Sequence, residues 1–392
     1  MEGLYQKLNS KIEEAQKIHE GTLPQKFPES DDFSFAAYYQ PAEKLGGDYY
    51  DILQKKNKIV IHISDVTNHG FDAAMMSSFV QNTIASYVQF CSVEELEPQK
   101  IIEFLHQSYQ KRNYPQDYFV CIFLAVYDSK TGQFTYINRG FQNLPLIAGQ
   151  EYDRGKELVS KGLPISKAIS FEKYGHEAEK MTLKPGDTVF FHTDGIIEQT
   201  VARERYQHRF QELFYSSSHL PPEIILQNIK EDFYQFNNCT EKGEDDISLL
   251  LFQILPSETK SYDFSVPSDK ESIKNFKQKL FSIMPAGSLG QSLVFCINEI
   301  IINAAEHGHD FNEDKKIDVK ILITDDYVMA RVSDWGSGFN WREAINGDIN
   351  LEDDYERGRG LAIVQHCCDH LYYNDKGNTA FVVNSRNNNS AS

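Results

Sequence analysis

The spacing of apolar and polar residues changes along the chain, and the N-terminal segment has the spacing of a helix. Between residues 4 and 20, apolar side chains recur every three or four positions with lysine and glutamate between them. These apolar positions are Leu4, Leu8, Ile12, Ala15 and Ile18. The spacing predicts an amphipathic helix, which Pro24 and then Pro28 bring to an end. Such a helix packs on its own domain or pairs with another chain, and the pattern favours neither.

From residue 33 onward the pattern is typical of strands. Short segments rich in β-branched and aromatic residues are bounded by Gly, Asp, Asn or Pro. The predicted strands are FSFAAYYQ (33–40), KIVIHIS (58–64), YFVCIFLAVYD (118–128), QFTYINR (133–139), DTVFFHT (187–193) and ISLLLFQIL (247–255). Helical stretches lie between them at 71–90, 98–111 and 221–236. Because the strands follow one another like hairpins, without regular βαβ alternation, the pattern predicts an α+β sandwich built on antiparallel sheets.

The pattern changes near residue 257, where a second domain is predicted to begin. Its first helix, 268–284, has Ser268 as the N-cap and Glu271 three residues later, which is a capping box. The further elements are a helix at about 290–307, strands KILITD and VMARVSD, an acidic loop at 342–356, a helix from about 360, and strands at 370–374 and 379–384. The predicted organisation is a lead helix (1–25), a first domain (26–256), a second domain (257–385) and a disordered tail (386–392).

The composition of the chain excludes some classes of protein and favours others. A chain of 392 residues exceeds what one hydrophobic core usually holds, and 41% hydrophobic residues are ample for two cores. The formal net charge of −18 disfavours a non-specific nucleic-acid binder, which needs clustered basic residues. The six cysteines form no CxxC pair, which predicts reduced thiols. With no apolar signal core in MEGLYQKLNSKIEE and no run of membrane-spanning length, the sequence predicts a soluble, cytoplasmic protein without membrane contact.

Aspartates recur at the ends of the predicted strands of the first domain, several of them beside glycine. They are Asp48 after Gly46-Gly47, Asp65 after KIVIHIS, Asp194 after VFFHT, and the pair Asp245-Asp246 before ISLLLF. Carboxylates converging from several strand ends would repel one another unless hard cations lay between them. Two Mg²⁺ or Mn²⁺ ions roughly 3.5–4 Å apart can activate a shared water and clamp a phosphoryl oxygen. Each aspartate alone favours an ordinary turn, whereas the joint pattern favours a metal centre.

Four stretches carry a resemblance to a known family: KLGGDYYD, ISDVTNHGFDAAMM, LKPGDTVFFHTDGIIE and GEDDISLLLF. They resemble the signatures of the PPM metal-dependent serine/threonine phosphatases, in the bacterial branch typified by RsbU and SpoIIE. The resemblance covers residues from about 12 to 254 and implies a four-layer α/β/β/α sandwich that binds two Mn²⁺ or Mg²⁺ ions. The implied ligands are Asp48, Asp65, the backbone carbonyl of Val66, Asp194 and Asp245, and the implied nucleophile is a metal-bound water.

The sequence departs from the family pattern at two places. Asn68 stands where the family usually has glycine, and asparagine is the residue best able to replace glycine in a left-handed turn. The family's Asn-Ala-Gly-His stretch reads Asn138-Arg139-Gly140-Phe141 here. We expect Arg139 to add a cation near the cleft and the loss of histidine at Phe141 to alter substrate preference or activity.

A polar stripe lies on the apolar helix of the second domain. Glu299, Asn303 and Glu306 recur at intervals of four and three, which places them on one helix face. Periodicity alone favours a solvent-facing stripe. Two glycine motifs follow, DWGSG (334–338) after a strand and GRGL (358–361) before a helix. Glycines before a helix leave backbone N–H groups pointing at a phosphate, which favours a nucleotide site.

In this order the motifs resemble the GHKL ATP-binding domain of gyrase, Hsp90, histidine kinases and MutL, and within it the anti-sigma-factor serine kinases of the RsbW or SpoIIAB type. The resemblance spans about 262–385 and implies a two-layer α/β domain that binds ATP with Mg²⁺. Glu299 would be the catalytic base, Asn303 the Mg²⁺ ligand, and Asp334 the adenine contact. The other nucleotide contacts would be Gly336, Gly338, Gly358, Arg359 and Gly360. Arg357 or Arg359 would stabilise the γ-phosphate.

These resemblances imply a bifunctional regulator of bacterial partner switching. The phosphatase would dephosphorylate a small STAS-domain anti-sigma-factor antagonist, and the kinase would phosphorylate such a protein. A sigma factor is a further candidate partner, and a homodimer through residues 4–20 or through the kinase domain stays open. Two alternatives remain. The second domain could bind ATP or a sigma factor without transferring phosphate, or the phosphatase half could be a degenerate scaffold.

Overall fold

The computed structural model describes residues 2–24, 26–67, 70–169, 177–240, 243–346 and 359–386. The chain divides into two compact units, Met1–Leu255 and Pro256–Ser392, which are called the first and the second unit below. The boundary predicted near residue 257 lies within two residues of this division. The predicted disordered tail falls, apart from its first residue, outside the described residues.

The first unit consists of one antiparallel sheet packed on another, with helices outside both. Its helices are α1 (Glu2–Glu20), α2 (Phe71–Phe90), α3 (Pro98–Gln110), α4 (Asp194–Ile197), α5 (Gln207–Ser217) and α6 (Pro222–Phe236). Its strands are β1 (Phe33–Gln40), β2 (Tyr49–Lys55), β3 (Lys58–Val66), β4 (Phe119–Asp128), β5 (Gln133–Arg139), β6 (Leu146–Gly149), β7 (Tyr152–Glu157), β8 (Ile165–Ser166), β9 (Glu179–Thr182), β10 (Thr188–His192), β11 (Thr200–Val201), β12 (Glu204–Arg205) and β13 (Ile247–Ile254). One sheet has the order β1-β13-β10-β6-β7, and the other has the order β2-β3-β4-β5-β9 with β8 beside β4.

Aromatic side chains fill the space between these sheets. Phe252 of β13 stacks on Phe35 of β1 and meets the edge of Tyr127 of β4, so the rings connect one sheet to the other. A separate core lies between β3 and β4 and the apolar faces of α2 and α3. On the opposite side, Phe210 of α5 packs on Phe190 of β10. The order helix, sheet, sheet, helix confirms the predicted α+β sandwich with antiparallel sheets.

The lead helix α1 contacts the rest of its unit through His19. The His19 ring lies 6.3 Å from the Tyr39 ring and 6.5 Å from the Tyr49 ring, and its Nε2 lies 3.3 Å from Ser77 Oγ of α2. Ile18, a predicted member of the apolar face, is 73% exposed, so that part of the prediction is wrong. Neighbouring helical residues point about 100° apart, and the face that carries the buried His19 turns Ile18 outward.

The second unit is an antiparallel sheet with helices packed on one face, which confirms the predicted two-layer architecture. Its strands are β14 (Lys260–Pro267), β15 (Lys316–Ile323), β16 (Tyr327–Ser333), β17 (His370–Tyr373) and β18 (Thr379–Ser385), in the order β14-β15-β16-β18-β17. Its helices are α7 (Lys270–Ile283), α8 (Ser288–Asn303), α9 (Trp341–Asn346) and α10 (Arg359–Cys367), and a π-helical turn (Ala304–Gly308) extends α8. Apolar side chains of α7, α8 and α10 meet those of the sheet in one core.

Helix α8 and its π-helical turn correct one expectation from the sequence. Ser288–Gly308 is, within the described residues, the one helical segment long and apolar enough to cross a membrane by length and composition. Of its apolar window, 56% is buried. Val294 and Ile297 are fully buried in the core of the second unit, so the apolar character of α8 has a packing role there.

Two further predictions for the second unit are wrong in detail. The N-cap of α7 is Asp269, whose Oδ1 accepts hydrogen bonds from the N–H groups of Glu271 (3.0 Å) and Ser272 (2.9 Å). Ser268, the predicted cap, is buried, and its hydroxyl lies 2.6 Å from His309 Nδ1 instead. The predicted acidic loop at 342–356 begins with helical residues of α9, and its remainder from 347 lies outside the described residues.

Candidate metal and nucleotide sites

The predicted metal ligands of the first unit all lie at the ends of paired strands. Asp65 and Val66 are the last residues of β3, and Asp48 immediately precedes β2, the antiparallel neighbour of β3. In the other sheet, Asp194 opens α4 two residues after β10, and Asp245 lies two residues before β13, the neighbour of β10. Each sheet therefore contributes two of the four aspartates.

The electrostatics of these carboxylates indicate that they form one cluster. Burial raises the pKa of Asp48 well above its usual value, and Asp65 and Asp246 raise it further. Burial together with Asp194, Asp245 and Asp246 raises the pKa of Asp65 to about 7. Burial and Asp245 raise the pKa of Asp194. Since the charged neighbours that shift Asp65 are all carboxylates, negative charge accumulates where the two sheets end.

The donor set of this cluster fits hard divalent cations. Oδ2 of Asp48 is buried and, among the described residues, meets no hydrogen-bond partner, which is costly for a carboxylate unless a cation neutralises it. Across the described parts of the chain, no group of three or more His, Cys, Asp or Glu side chains is gathered closely enough to hold one ion. Backbone oxygen, as at Val66, and water would therefore have to complete the ligands, as is usual for Mg²⁺.

Asp246, which the sequence did not distinguish from its neighbour Asp245, positions the loop that carries Asp48. Its Oδ1 accepts a hydrogen bond from Ala42 N–H (2.9 Å) and its Oδ2 accepts one from Gly47 N–H (2.7 Å). A Cβ added at Gly46 would lie 2.4 Å from Asp246 Oδ2. Close contact with a buried carboxylate therefore explains the glycine at 46.

Thr193 joins the strand ends that bear Asp194 and Asp245. Its N–H donates to the carbonyl of Ser248 (3.1 Å), and its Oγ1 accepts from Ser248 N–H (2.9 Å). The next glycine, Gly195, approaches the other segment so closely that a Cβ there would lie 2.2 Å from the carbonyl oxygen of Asp246. These contacts fix the spacing between the β10 end and the β13 start.

The structure describes two of the three residues that depart from the family pattern, Arg139 and Phe141. Arg139 does not present its charge to solvent, since its side chain is 2% exposed and its Nη1 donates to the carbonyl of Asn138 (3.0 Å). The added cation is therefore a buried one, with its Nη1 2.9 Å from the position that a Cβ at Gly162 would take. Phe141 is buried in the core between the sheets, so an apolar ring takes the place of the family's histidine. Asn68 lies outside the described residues.

In the second unit, the helix residues predicted to bind nucleotide lie beside a glycine of a predicted phosphate loop. A Cβ added at Gly360 of α10 would lie 3.4 Å from Glu299 Oε2 and 4.0 Å from Asn303 Nδ2 of α8. The start of α10 therefore closely approaches the polar stripe of α8. Gly358 lies outside the described residues, and of Arg359 the structure describes only its place as the first residue of α10.

Asp334 follows β16 and is held by its own loop. Its Oδ1 accepts a hydrogen bond from Gly336 N–H (2.7 Å), and burial raises the pKa of its carboxyl group. Gly338 has φ +76°, and a Cβ there would lie 1.7 Å from the carbonyl oxygen of Lys376. Chain packing alone therefore requires glycine at 338, whereas the half-buried Asp334 remains a candidate ligand contact.

His309 is a supporting residue that sequence reasoning missed. It follows the π-helical turn Ala304–Gly308, and its Nε2 accepts a hydrogen bond from Trp335 N–H (3.3 Å). Its Nδ1 lies 2.6 Å from the hydroxyl of the buried Ser268. π-helical turns occur frequently at functional sites. The sequence EHGH (306–309), which spans the end of this turn, was therefore a possible sign of a functional site, but helical periodicity does not reveal a π-helical turn.

Known proteins are similar to parts of this chain in sequence or in fold. Phosphoserine phosphatase RsbU from Bacillus subtilis (strain 168) is 26% identical over 200 residues, which are 50% of this chain and 56% of RsbU. Protein IcfG from Synechocystis is 21% identical over 210 residues, which are 48% of this chain and 32% of IcfG. The chain thus spans about half of RsbU and about a third of IcfG. The solved SiaA-PP2C domain of Pseudomonas aeruginosa covers 65% of this chain and 100% of that domain, with a TM-score of 0.56 and 17% identity.

Family models match both units. The model of the histidine kinase-like ATPase domain matches residues 272–383, within the second unit. The model of stage II sporulation protein E matches residues 55–255, just over half of the chain. The chain therefore belongs to the stage II sporulation protein E (SpoIIE) family, with a histidine kinase-like ATPase domain at its C-terminal side.

Proposed function

We propose that the first unit is a divalent-metal-dependent phosphatase that acts on phosphoserine or phosphothreonine in a protein substrate. The observation that carries this proposal is that Asp48, Asp65, Asp194 and Asp245 lie at the strand ends of two sheets and interact electrostatically, with an Asp48 oxygen that is buried and meets no donor among the described residues. Membership of the SpoIIE family and the similarity to a phosphoserine phosphatase support the same activity.

These carboxylates and the carbonyl of Val66 would hold two Mn²⁺ or Mg²⁺ ions. Bound ions of this kind supply an activated water and neutralise charge on the phosphoryl group. The protein's own part is positional. Asp246 fixes the Gly46-Gly47 loop, and Thr193 fixes the distance between the strand ends, so the ligands are held in place before substrate binds.

Phosphate release from a phosphoserine-bearing STAS-domain protein tests the activity, with Mn²⁺ and with chelator. Asp194→Asn should abolish metal-dependent release and weaken Mn²⁺ binding in calorimetry, because it removes one carboxylate charge from the cluster. Asp31→Asn, the same change at an exposed position, is the matched control. If the full chain neither binds Mn²⁺ at near-millimolar concentration nor releases phosphate, the first unit is a scaffold and the proposal is wrong.

For the second unit we propose ATP binding with Mg²⁺ and transfer of phosphate to a serine. Glu299 would act as the base toward the serine hydroxyl, Asn303 would hold Mg²⁺, and Asp334 would bind the adenine amino group. The phosphates would lie against Gly336, Gly338, Gly358, Arg359 and Gly360. The close approach of Gly360 to Glu299 and Asn303 supports this assignment, because it leaves backbone at the start of α10 beside the proposed base and metal ligand.

The two activities together fit a cytoplasmic partner-switching regulator. The same class of substrate, a small STAS-domain anti-sigma-factor antagonist, would be dephosphorylated by one unit and phosphorylated by the other. A sigma factor would be a second partner of the ATP-binding unit. The chain's net charge of −18 offers no support for nucleic-acid binding.

Substitution of Glu299 separates a kinase from a nucleotide sensor. With a STAS-domain protein and labelled ATP, Glu299→Gln should abolish transfer while ATP binding persists, because glutamine keeps the size but cannot accept the proton. Glu313→Gln, at an exposed position after α8, is the matched control. Tight ATP binding by the wild-type chain with no transfer to any STAS protein would favour the sensor instead.

A further inference from the structure

A cavity of about 590 Å³ opens beside the carboxylate cluster of the first unit. Its lining residues are Thr67, Phe119, Cys121, Asn138, Gly140, Phe141, Gln142, Leu144, Ser160, Lys161, Gly162 and Pro164. Cys121 is the register partner of Asp65 in the β3–β4 ladder, and Thr67 follows Val66 directly. Burial, with Asp65 and Asp194 adding to it, raises the pKa of the Cys121 thiol to about 12. The cavity therefore adjoins the proposed metal centre.

The walls of this cavity are held together before any ligand binds. The Asn138 side chain donates to the carbonyls of Phe141 (2.8 Å) and Ser160 (3.0 Å) and accepts from Phe141 N–H (2.8 Å). Gly140 N–H donates to the carbonyl of Gly162 (3.1 Å), which joins the same two segments. A cavity framed in this way loses little entropy when it binds, which favours a binding role.

Glycine is required at the base of both walls. A Cβ at Gly140 would lie 2.7 Å from Pro164, and one at Gly162 would lie 2.0 Å from the carbonyl oxygen of Asn138. Gly140 also has φ +73°. The segments around Gly140 and Gly162 can therefore lie this close together only with glycine at both positions. Their close contact fixes the shape of the cavity.

The chemistry of the lining contrasts with its surroundings. The chain carries a net charge of −18 and the neighbouring carboxylate cluster is acidic. Among the described residues, however, the lining contains no carboxylate and carries the cation Lys161. Its other surfaces are largely apolar, from Phe119, Leu144 and Pro164. An apolar cavity of this size with a single cation fits a ligand that has an apolar side chain next to an anionic group.

We infer that this cavity binds the substrate segment flanking the phosphoserine, with an apolar side chain in the cavity and a carboxylate of the same segment paired with Lys161. The inference rests on the proposed phosphatase activity and names the substrate class that it acts on. A phosphoprotein is itself anionic, so a cavity whose described residues include no carboxylate is where its chain can approach the acidic cluster with the least repulsion. Lys161 and Leu144 are then specificity-determining residues, separate from the metal ligands.

The test compares phosphoserine peptides with p-nitrophenyl phosphate, which carries no flanking chain, as substrates of the full chain with Mn²⁺. The peptides differ only in Leu or Ser, and Glu or Gln, at the positions flanking the phosphoserine. For a peptide with Leu and Glu, Lys161→Glu should lower the kcat/KM ratio of peptide to p-nitrophenyl phosphate about five- to tenfold, because attraction becomes repulsion. Leu144→Ser should remove the preference for Leu over Ser, and Leu144→Met should keep it.

The control is Lys130→Glu, an equal charge change at an exposed residue of the β4–β5 turn, at the opposite end of β4 from Phe119. It should leave the ratio unchanged. Fluorescence anisotropy of labelled phosphopeptide in chelator gives a readout that does not depend on turnover, and Lys161→Glu should weaken binding there as well.

The outcomes separate the two levels of the proposal. A wild-type chain that hydrolyses neither substrate contradicts the phosphatase activity itself. A different result overturns the cavity's role alone: the wild-type chain hydrolyses p-nitrophenyl phosphate, but the kcat/KM ratio of peptide to p-nitrophenyl phosphate and the peptide binding are the same in wild type, Lys161→Glu and Leu144→Ser. A parallel loss of both activities in Lys161→Glu also overturns it, since the residue would then serve the metal centre.

Discussion

Asp246 offers the sharpest distinction between a residue that binds metal and one that holds the binding loop. Asp245 and Asp246 are adjacent, yet Asp245 is exposed whereas Asp246 is 3% exposed and accepts the N–H groups of Ala42 and Gly47. We therefore predict that Asp246→Ala destabilises the first unit even without metal. Asp245→Asn should instead weaken Mn²⁺ binding and leave stability without metal nearly unchanged.

The magnitude follows from the two hydrogen bonds, with a correction for charge. Each hydrogen bond to a charged acceptor contributes about 1.5–3 kcal/mol, so losing both at Asp246 costs about 3–6 kcal/mol. The loss is offset in part, because Asp246 raises the pKa of Asp48 and Asp65, and its removal relieves that repulsion. We expect a net loss of about 3 kcal/mol, which lowers Tm by about 6–12 °C for a unit of this size.

Calorimetric unfolding of the full chain in chelator measures this difference, with Mn²⁺ titration alongside. Asp246→Asn, which keeps one acceptor oxygen, should fall between wild type and Asp246→Ala. Asp245→Asn is the control and should shift Tm by less than about 2 °C, as is usual for exposed positions. If Asp246→Ala abolishes Mn²⁺ binding but leaves Tm in chelator unchanged, Asp246 is a ligand, and its assignment as a loop anchor is wrong.

The remaining predictions concern pH and local stability. The folded-state pKa of Asp65 is about 7, against an ordinary 3.8, so the metal-free unit should lose stability as pH rises from 4 to 7. For the same reason, Mn²⁺ should raise Tm more at pH 7.5 than at pH 5.5. Equal Tm shifts at both pH values would contradict this prediction. Lys55→Met should lower the free energy of unfolding in urea by about 1–2 kcal/mol, because Lys55 Nζ donates to the carbonyls of Val88 (2.8 Å) and Gln89 (2.9 Å) at the end of α2. An unchanged urea midpoint would mean that the C-terminal end of α2 does not need this cap. Asp269→Ala should lower the urea midpoint of the second unit, because α7 loses its N-cap. If Ser268→Ala alone lowers this midpoint and Asp269→Ala has no effect, the cap assignment is wrong.

The sequence predicted the interior strands well because both of their faces are buried. β4 and β13 read as continuous apolar runs, and the observed bounds, Phe119–Asp128 and Ile247–Ile254, differ from the predicted ones by one residue at one end. In contrast, β14 (Lys260–Pro267) was missed. Half of its residues are polar and several are exposed, so its sequence, KSYDFSVP, lacks the apolar run of a central strand.

The candidate site was predictable as a set of aspartates but not as a geometry. Asp245 and Asp246 are adjacent and precede β13, and the sequence alone does not say which of the two side chains is buried. Burial decides it here, with Asp246 facing the Gly46-Gly47 loop. The same limit applies to Arg139, whose charge suggested a cleft residue although its side chain is buried.

The carboxylate cluster belongs to a unit with two extensive apolar cores. Asp48 is buried and Asp65 is half-buried beside it, and without cations their ionised forms are disfavoured, which lowers the free energy of unfolding near neutral pH. A cluster of this kind persists in a folded chain only if its surroundings overdetermine it. The aromatic core between the sheets and the helices outside both supply that stability. A site that is unfavourable when empty and framed by rigid strands would bind cations without rearranging its scaffold, as the proposed metal-dependent phosphatase activity requires.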